Sequence, residues 1–532
     1  MLESEVPMKF SSLWRKHAVI VLLLAVIALV ACFYQTQKVG FHEDEVYTIA
    51  SAVNPGNGLL TAYEDNQMPE HGTPVWKTSQ EVRDFVTLTP ENYFNFHSIY
   101  RNQELDNHPP LFYILVHFSA LLLGGGFSKY TVFLINLPAL LASCLVLLSL
   151  LRRMGLERFW VPALLLYGLC MGTLSMVLLQ RMYMLLTLFV LLYVDSCVEL
   201  YHSGFTWNVW RWLRFGLICV LGFLTQYFFA VYAAFLFLVT LGATLWQKRW
   251  RTGLGFALSH GLYGAVGIYL FPPCLDHLLH SDRGISNLSQ GGYWDHLVED
   301  LGHLARAFSL PLALFVVVSV GVAALAVVAF RRSPGPQRFY LLLTFLPTLG
   351  FFLVTVKFTS FQELRYLMPM LPLMVLGVFL VAGLVWDFPY KTRVLTGVAA
   401  GLVLLGLATS TPNGLYPGYA AYLDAARTYH DVPFVVVNDN YFNHMKFLPE
   451  MMLYDHSLIL NTTRGELDVL ADDPMLEREG CLVVSLPVYL DHAALLEQIS
   501  QSTGFHQVTT LCTSPDGPRD REVKANLYLV SR

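Results

Sequence analysis

The sequence predicts an all-α polytopic membrane bundle of about eleven transmembrane helices, with a large first extracytoplasmic loop and a small C-terminal α/β domain outside the membrane. Three observations support this fold class. The chain is 55% hydrophobic and only 14% charged, whereas soluble domains are about 25% charged. Ten apolar runs approach the ~20 residues that cross a bilayer. From residue 411 onwards, short β-type segments alternate with helical ones.

The first apolar run, residues 18–34, follows Lys9, Arg15 and Lys16. A basic start before an apolar run is also typical of a cleaved signal peptide, and "LVAC" at 29–32 is similar to a lipoprotein cleavage box. Because many further spans follow, we expect an uncleaved first helix.

The basic clusters indicate which side of the membrane each loop faces, since Lys and Arg concentrate on the cytoplasmic side. All of them fall on one side if the run 215–246 crosses twice, with a turn at "LTQYFF" (224–229). This topology predicts a multi-pass plasma-membrane protein with a cytoplasmic N-terminus and an extracytoplasmic C-terminal domain. The other runs lie near 130–151, 159–179, 184–202, 253–272, 307–330, 339–356, 366–386 and 394–410, and the clusters near 152–158, 211–214, 248–251, 331–338 and 391–393.

The first outer loop, residues 35–109, holds eleven Asp/Glu against four Lys/Arg, as expected of an outside loop. The apolar segment 108–125 at its end is short for a span. We expect this segment to form a helix at the outer membrane interface.

Residues 411–532 are predicted to form the extracytoplasmic α/β domain, leaving 1–410 as the transmembrane catalytic domain. Segments 443–454 and 491–502 have the pattern of helices. This domain could shape acceptor binding or act only as a stabilising lid, and the sequence leaves both open. Strands are predicted at 434–440, 457–461, 481–486, 506–512 and 526–530.

Composition also limits the partners and cofactors. The net charge of −5 favours no nucleic-acid partner. Five of the eight cysteines lie in apolar runs, as small core residues do. Cys481 and Cys512, in the C-terminal domain, are the candidates for a disulfide. The cysteines show no zinc-binding spacing, so no cofactor is predicted and a divalent metal stays open.

Two motifs of the first outer loop carry candidate functional groups. "HEDEVY" (42–47) places Glu43, Asp44 and Glu45 directly after the first helix. This is either an ordinary solvated acidic loop or a carboxylate pair for base catalysis, with one acid tuned by its neighbour. "DNHPPLFY" (106–113) is either a capped helix start or a device that presents Asp106 and His108 at the membrane surface.

Two further motifs fall on the same predicted face. In "QRMYML" (180–185), Arg181 stands between apolar runs, either snorkelling to water or paired with an anion. In "FQELRYLMPMLP" (361–372), Arg365 and Tyr366 begin a late span beside Glu363. There the arginine could pair with Glu363 or hold a phosphate through its planar fork. On one continuous helix Glu363, two residues away, would point elsewhere, so we expect the phosphate.

Together the four motifs place carboxylates and cations on one face, at the depth of a lipid phosphate. In this order they resemble the GT-C class of polytopic glycosyltransferases, in the branch of the protein O-mannosyltransferases and the lipid A aminoarabinose transferase. That branch has an Asp-Glu pair after the first helix, a "HPPLYY"-like helix, an "ARxYxL" segment, a "THYY"-like turn and "RYLxPxLP". This chain has Asp44-Glu45, "HPPLFY", "QRMYML", "TQYFF" and "RYLMPMLP".

The resemblance implies transfer of a hexosyl or pentosyl sugar from a polyprenyl-phosphate donor, with inversion, to a hydroxyl of a glycan, lipid or protein. Asp44 would be the general base and Glu45 would position it or the acceptor. Arg365, Arg181, His108 and Tyr366 would hold the departing phosphate. Supporting roles fall to Glu43, Asp106, Tyr183, Tyr227 and Glu363.

The sequence departs from the pattern in two places. "TQYFF" carries Gln226 where the family has His, and no acid accompanies Arg181 in its own segment, although Asp106 or Glu43 could substitute. These departures weigh against a metal site. Two other functional classes compete with catalysis: a transporter or flippase, for which Asp195, Glu199 and His260 would line a path, and a non-catalytic scaffold. A non-catalytic scaffold would not explain why Arg181 and Arg365 are predicted on the same face as the acids.

Overall fold

The structure of the chain is a computed structural model. The structure describes residues 10–55, 74–280, 291–359, 362–439, 447–514 and 525–532, and for 10–16 it describes the helix alone. Parts of the predicted outer loop (56–73) and of the predicted helix at 443–454 (residues 443–446) lie outside the described residues. The described chain contains the 23 α-helices and six strands that follow.

The helices up to the middle of the chain are α1 Phe10–Gln37, α2 Glu43–Val53, α3 Ser79–Phe85, α4 Phe96–Leu105, α5 Leu111–Leu122, α6 Phe133–Arg153, α7 Trp160–Leu169, α8 Met171–Leu178, α9 Tyr183–His202, α10 Val209–Thr225, α11 Phe228–Trp246 and α12 Trp250–Leu270. They continue as α13 Cys274–Leu279, α14 Tyr293–Ala307, α15 Leu312–Arg332, α16 Gly335–Phe358, α17 Leu364–Leu367, α18 Leu371–Val385, α19 Lys391–Thr409, α20 Ala420–Tyr429, α21 Leu448–Met451, α22 Pro474–Glu479 and α23 His492–Thr503.

The chain is an integral, multi-pass membrane protein. Within the described residues, nine helices are long and apolar enough to cross a membrane, or ten if the bent pair α7–α8 forms one span. The fold class is therefore confirmed, with nine or ten such helices where about eleven were predicted. The difference is α10, which has 17 residues and is shorter than the others. The run 215–246 is indeed broken at Gln226–Tyr227, where the turn was predicted.

The strands are β1 Lys77–Thr78, β2 Phe434–Asn438, β3 His456–Asn461, β4 Cys481–Pro487, β5 Gln507–Cys512 and β6 Ala525–Ser531. They form one mixed sheet in the order β1-β3-β2-β4-β6-β5. Strand β2 is parallel to β3 and β4, while the other three pairs are antiparallel. Strands β2 and β4 are almost fully buried, as central parallel strands are when both faces of a sheet are covered.

The chain divides into two compact units that do not follow its linear order. The helical unit comprises residues 1–36, 136–178 and 182–413. The sheet unit comprises residues 37–135, 179–181 and 414–532. The first loop belongs to the sheet unit because β1 extends the C-terminal sheet, with Lys77 opposite Ser457.

The cysteines are all free. The disulfide suggested for Cys481 and Cys512 is therefore wrong. Cys481 begins β4 and Cys512 ends β5, and β6 lies between these two strands.

Candidate functional site

Helix α2 begins at the acidic motif through a reciprocal cap. His42 is the N-cap residue, and its ring accepts a hydrogen bond from the Asp44 amide at 3.1 Å. The Glu45 carboxylate returns to the His42 amide at 2.9 Å, which completes a capping box. The three acids also fill the first turn, where the helix dipole favours negative charge. The local sequence thus fixes where the helix starts.

Glu45 is held in a fully buried ion pair. The Lys38 ammonium lies 2.8 and 2.9 Å from its two oxygens, and neither side chain is exposed. The Gln180 amide donates to the same carboxylate at 2.8 Å. With the capping bond from His42, Glu45 accepts hydrogen bonds from three different parts of the chain.

Lys38 is a residue that the sequence analysis missed. It also donates to the Gly414 carbonyl at 2.9 Å and lies 4.8 Å from the centre of the Tyr416 ring. Burial lowers the pKa of Lys38, against the opposing effect of Glu45. The signal that could have found it is its place, a lysine just past an apolar helix and seven residues before a glutamate.

Asp44 differs from Glu45 in that its side chain reaches solvent. Its side chain is 27% exposed and lies 3.4 Å from the His42 ring. Its backbone carbonyl accepts from the Thr48 hydroxyl at 2.7 Å and from Arg181 at 3.3 Å. Glu43 is half-buried in the same turn. Of the adjacent acids Asp44 and Glu45, only Asp44 has a partly exposed side chain.

Arg181 and His108 are in contact, as the sequence analysis had grouped them. The guanidinium contacts His108 Nε2 and the Thr48 hydroxyl, both at 2.9 Å. Arginine only donates, so His108 Nε2 accepts and Nδ1 donates to the Asp106 carboxylate at 2.9 Å. The arginine is 4% exposed. Of the two acids expected to substitute beside Arg181, Asp106 reaches it through His108.

Asp106 is held in its ionised form. Burial would raise its pKa, but the interaction with His108, the charge of Arg181 and the Asn107 amide outweigh burial and lower the pKa to about 2. Negative charge on Asp106 and positive charge on Arg181 therefore flank the imidazole. This chain of contacts fixes the orientation of the guanidinium.

The remaining predicted residues lie in the helical unit. The Arg365 guanidinium packs 5.1 Å from the centre of the Tyr366 ring. That ring lies 5.9 Å from Tyr183 and 5.6 Å from Phe228. Arg365, Tyr366 and Tyr183 thus form one cluster within the helical unit.

Glu363 pairs with Arg365 at 2.9 Å, so the expectation that Glu363 points elsewhere is wrong. That expectation assumed one continuous helix. Glu363 is instead the N-cap residue of α17, with extended backbone angles, and its side chain can fold back onto Arg365. Pro369 lies in a 3₁₀ turn, and Pro372 lies in the first turn of α18, where proline is tolerated.

Tyr227 contacts a histidine despite the departure at Gln226. Its hydroxyl lies 2.8 Å from Nδ1 of His277, which is 8% exposed. The turn that lacks the family's histidine therefore has an imidazole beside it, supplied by α13.

The groups considered for a transport path are engaged in contacts. Asp195 lies 3.1 Å from Arg153 and 2.6 Å from Arg214, and Glu199 pairs with both arginines. Both ring nitrogens of His260 have partners at 2.8 Å. Asp195 and Glu199 therefore belong to a structural network of ion pairs. His260 is a core histidine whose two ring nitrogens both have hydrogen-bond partners.

In the part of the chain that the structure describes, no cluster of three or more His, Cys, Asp or Glu side chains could hold a metal ion.

The fold resembles that of a solved membrane protein. No family model and no curated protein matches the chain. The apo structure of ArnT from Cupriavidus metallidurans matches with a TM-score of 0.55 at 11% identity, over 97% of this chain and 98% of that one. ArnT bound to undecaprenyl phosphate matches with a TM-score of 0.54 at 11% identity, over 96% and 98%. The resemblance to the GT-C class is confirmed at the level of the fold.

Proposed function

We propose that this chain is a glycosyltransferase that moves a sugar from a polyprenyl-phosphate donor to an acceptor hydroxyl at the outer face of the membrane. The observation that carries the proposal is the pair of unlike carboxylates at the start of α2. Glu45 is saturated by Lys38, His42 and Gln180, while Asp44 stays accessible beside buried Arg181. The ArnT fold, solved with undecaprenyl phosphate, supports a lipid-phosphate donor.

In the proposed reaction Asp44 acts as general base. It takes the proton of the acceptor hydroxyl as that oxygen attacks the anomeric carbon. The bond from this carbon to the phosphate oxygen breaks, and its electron pair leaves with the polyprenyl phosphate. Attack from the face opposite the leaving group inverts the configuration in one step.

The cations stabilise the charge that grows on the departing phosphate. Arg181 is oriented for this role by His108 and Asp106, and Arg365 by Glu363 and the Tyr366 ring. Planar guanidinium groups suit phosphate because they can donate two parallel hydrogen bonds. Glu45 acts as a positioning residue, because its oxygens are already occupied by the chain itself.

The proposal includes the topology and the division of labour predicted from the sequence. Residues 1–410 would carry the transfer chemistry, and residues 411–532 would lie outside the membrane and shape acceptor binding. The N-terminus would be cytoplasmic. The acceptor would be a glycan, lipid or protein with a free hydroxyl.

A transfer assay on the purified full chain tests the proposal. The protein, in detergent or nanodiscs, is incubated with polyprenyl-phosphate-linked hexoses and pentoses and with envelope extracts as acceptor. We expect release of polyprenyl phosphate together with a new glycoside of inverted configuration. Movement of intact donor across proteoliposomes, with no cleavage of the sugar–phosphate bond, would instead establish a transporter.

A further inference from the structure

A cavity of about 470 Å³ opens in the helical unit where α9 ends and α12 begins. It is formed by the loop 203–207 and by Arg249, Arg251 and Thr252. None of these residues belongs to the proposed catalytic machinery. The proposed function leaves this cavity without a role.

Ring packing and hydrogen bonds hold the loop that forms one wall. Trp207 packs 5.6 Å from both Phe215 and Phe256, which are almost fully buried. The Phe205 amide bonds to the Leu200 carbonyl at 3.0 Å, and the Thr206 amide to the Ser203 hydroxyl at 3.1 Å. The cavity is therefore preformed, with an aromatic floor and a polar rim.

The rim carries unneutralised positive charge. Throughout the ranges that the structure describes, neither Arg249 nor Arg251 takes part in an ion pair. The sequence contains no Asp or Glu between residues 200 and 275. The two other arginines of this region, Arg211 and Arg214, are different because both pair with Glu199.

The cavity lies at the membrane boundary by its position in the fold. Helices α11 and α12 are both long and apolar enough to span a membrane, and the short turn between them bears the arginines. Three tryptophans around it are largely exposed: Trp246 at 88%, Trp210 at 77% and Trp250 at 64%. Exposed tryptophans beside basic residues are typical of the lipid headgroup level.

We propose that this cavity binds the phosphate headgroup of an anionic membrane lipid. Arg249 and Arg251 would donate charge-assisted hydrogen bonds to the phosphate, and the acyl chains would leave along α11 and α12. Basic residues at a membrane surface attract anionic lipids in this way, and the preformed aromatic floor adds selectivity that a loose basic patch lacks. The occupant is a lipid of the bilayer, not a soluble phosphate and not the sugar donor.

Native mass spectrometry of the full-length protein tests this proposal. The parent and an R249Q/R251Q variant are taken from mixed micelles of phosphatidylglycerol and phosphatidylcholine, and retained lipid is counted. We expect the parent to retain one phosphatidylglycerol in preference to phosphatidylcholine, and the variant to bind it about tenfold more weakly. The matched control is R331Q/R332Q, which removes two exposed arginines at the end of α15 and should leave retention near the parent value.

Other results would overturn the proposal. If R249Q/R251Q and R331Q/R332Q lose equal amounts of retained phosphatidylglycerol, the lipid is attracted by general positive charge and not by a specific site. Displacement of the lipid by millimolar inorganic phosphate would identify a soluble phosphate site. If the parent retains phosphatidylglycerol and phosphatidylcholine equally, the cavity does not recognise an anionic headgroup. Because the arginines are exposed, R249Q/R251Q should fold, and an unchanged unfolding temperature checks this.

Discussion

At the residue scale, the acids at the start of α2 show how two adjacent carboxylates come to have different surroundings. Glu45 faces the interior, where a carboxylate is stable only with a partner, and Lys38 supplies it. Asp44 is one residue earlier, so it points about 100° away around the helix and remains 27% exposed. The sequence indicates the pair of acids but not which of the two is buried, because burial depends on the contacts of Glu45 with Lys38 and Gln180.

Removing Lys38 should be strongly destabilising. In a Lys38→Met variant the Glu45 carboxylate would remain buried without a counter-charge, which costs on the order of 3–5 kcal/mol. A Lys38→Met/Glu45→Met double variant should be less destabilised than Lys38→Met alone. Chemical denaturation of the purified proteins measures both values, with Lys77→Met, an exposed lysine of the same unit, as control. A double variant less stable than the single one would contradict this interpretation of the pair.

Arg365 gives a second prediction at this scale. Arg365→Ala should weaken both donor binding and turnover, and Arg365→Lys should recover part of each, because lysine keeps the charge but not the fork. Glu363→Gln removes the charge of the partner found at 2.9 Å but keeps an oxygen that can accept from the guanidinium, so it should weaken donor binding less than Arg365→Ala does. Binding of a polyprenyl-phosphate sugar by each variant checks this. If Arg365→Ala binds the donor as tightly as the parent, the arginine is only a structural ion pair.

At the scale of elements, local signals predicted where a helix breaks better than which groups pair. The break at Gln226 was predicted from residues within a few positions, whereas the acidic segment after the first helix was not predicted to begin a helix capped by His42. The Glu363–Arg365 pair was missed because it depends on the chain being extended at Glu363, and the "RYLMPMLP" pattern does not reveal that. The contact of Tyr227 with His277 joins residues 50 positions apart, beyond any local pattern.

Helix α14 carries a buried acid that should make stability depend on pH. Asp300 is 1% exposed, and among the residues that the structure describes one of its oxygens has no hydrogen-bond partner. Burial together with Glu299 raises its pKa to about 7. A carboxyl whose pKa is higher in the folded state holds its proton more tightly there. Its contribution to stability is therefore fully present below the unfolded pKa of about 3.9 and is lost as pH rises towards 7.

The Asp300→Asn variant tests this contribution. It should be more stable than the parent at pH 7–8, and the difference should shrink towards pH 4. Thermal unfolding across this range measures it, with Asp295→Asn on the same helix, at an exposed position, as the matched control. A constant difference at all pH values would mean that Asp300 does not titrate as proposed.

At the scale of the whole molecule, composition was enough to predict a helical membrane bundle with an α/β domain. The strands β2 to β6 were also predicted within a residue or two of their bounds. The grouping of residues 37–135, 179–181 and 414–532 in one compact unit was not foreseen. It depends on β1 and Gln180, whose partners Ser457 and Glu45 are distant in the chain.

The proposed topology can be tested by cysteine accessibility in intact cells. Single cysteines in a cysteine-free background should react with a membrane-impermeant maleimide from outside at residues 35–109 and 411–532. Cysteines at 152–158 and 331–338 should react only after permeabilisation, because these segments carry the basic clusters. Labelling of residues 411–532 from the cytoplasm would overturn the outer-face site.

The central claim is that Asp44 removes the acceptor proton during sugar transfer. The most direct measurement is single-turnover sugar transfer by purified Asp44→Asn, with donor binding measured in parallel. Asparagine keeps the size of the side chain but cannot act as the base. We therefore expect donor binding close to that of the parent and turnover lower by roughly 10²–10⁴. Turnover near the parent value would contradict the claim and would direct attention to Glu43 instead.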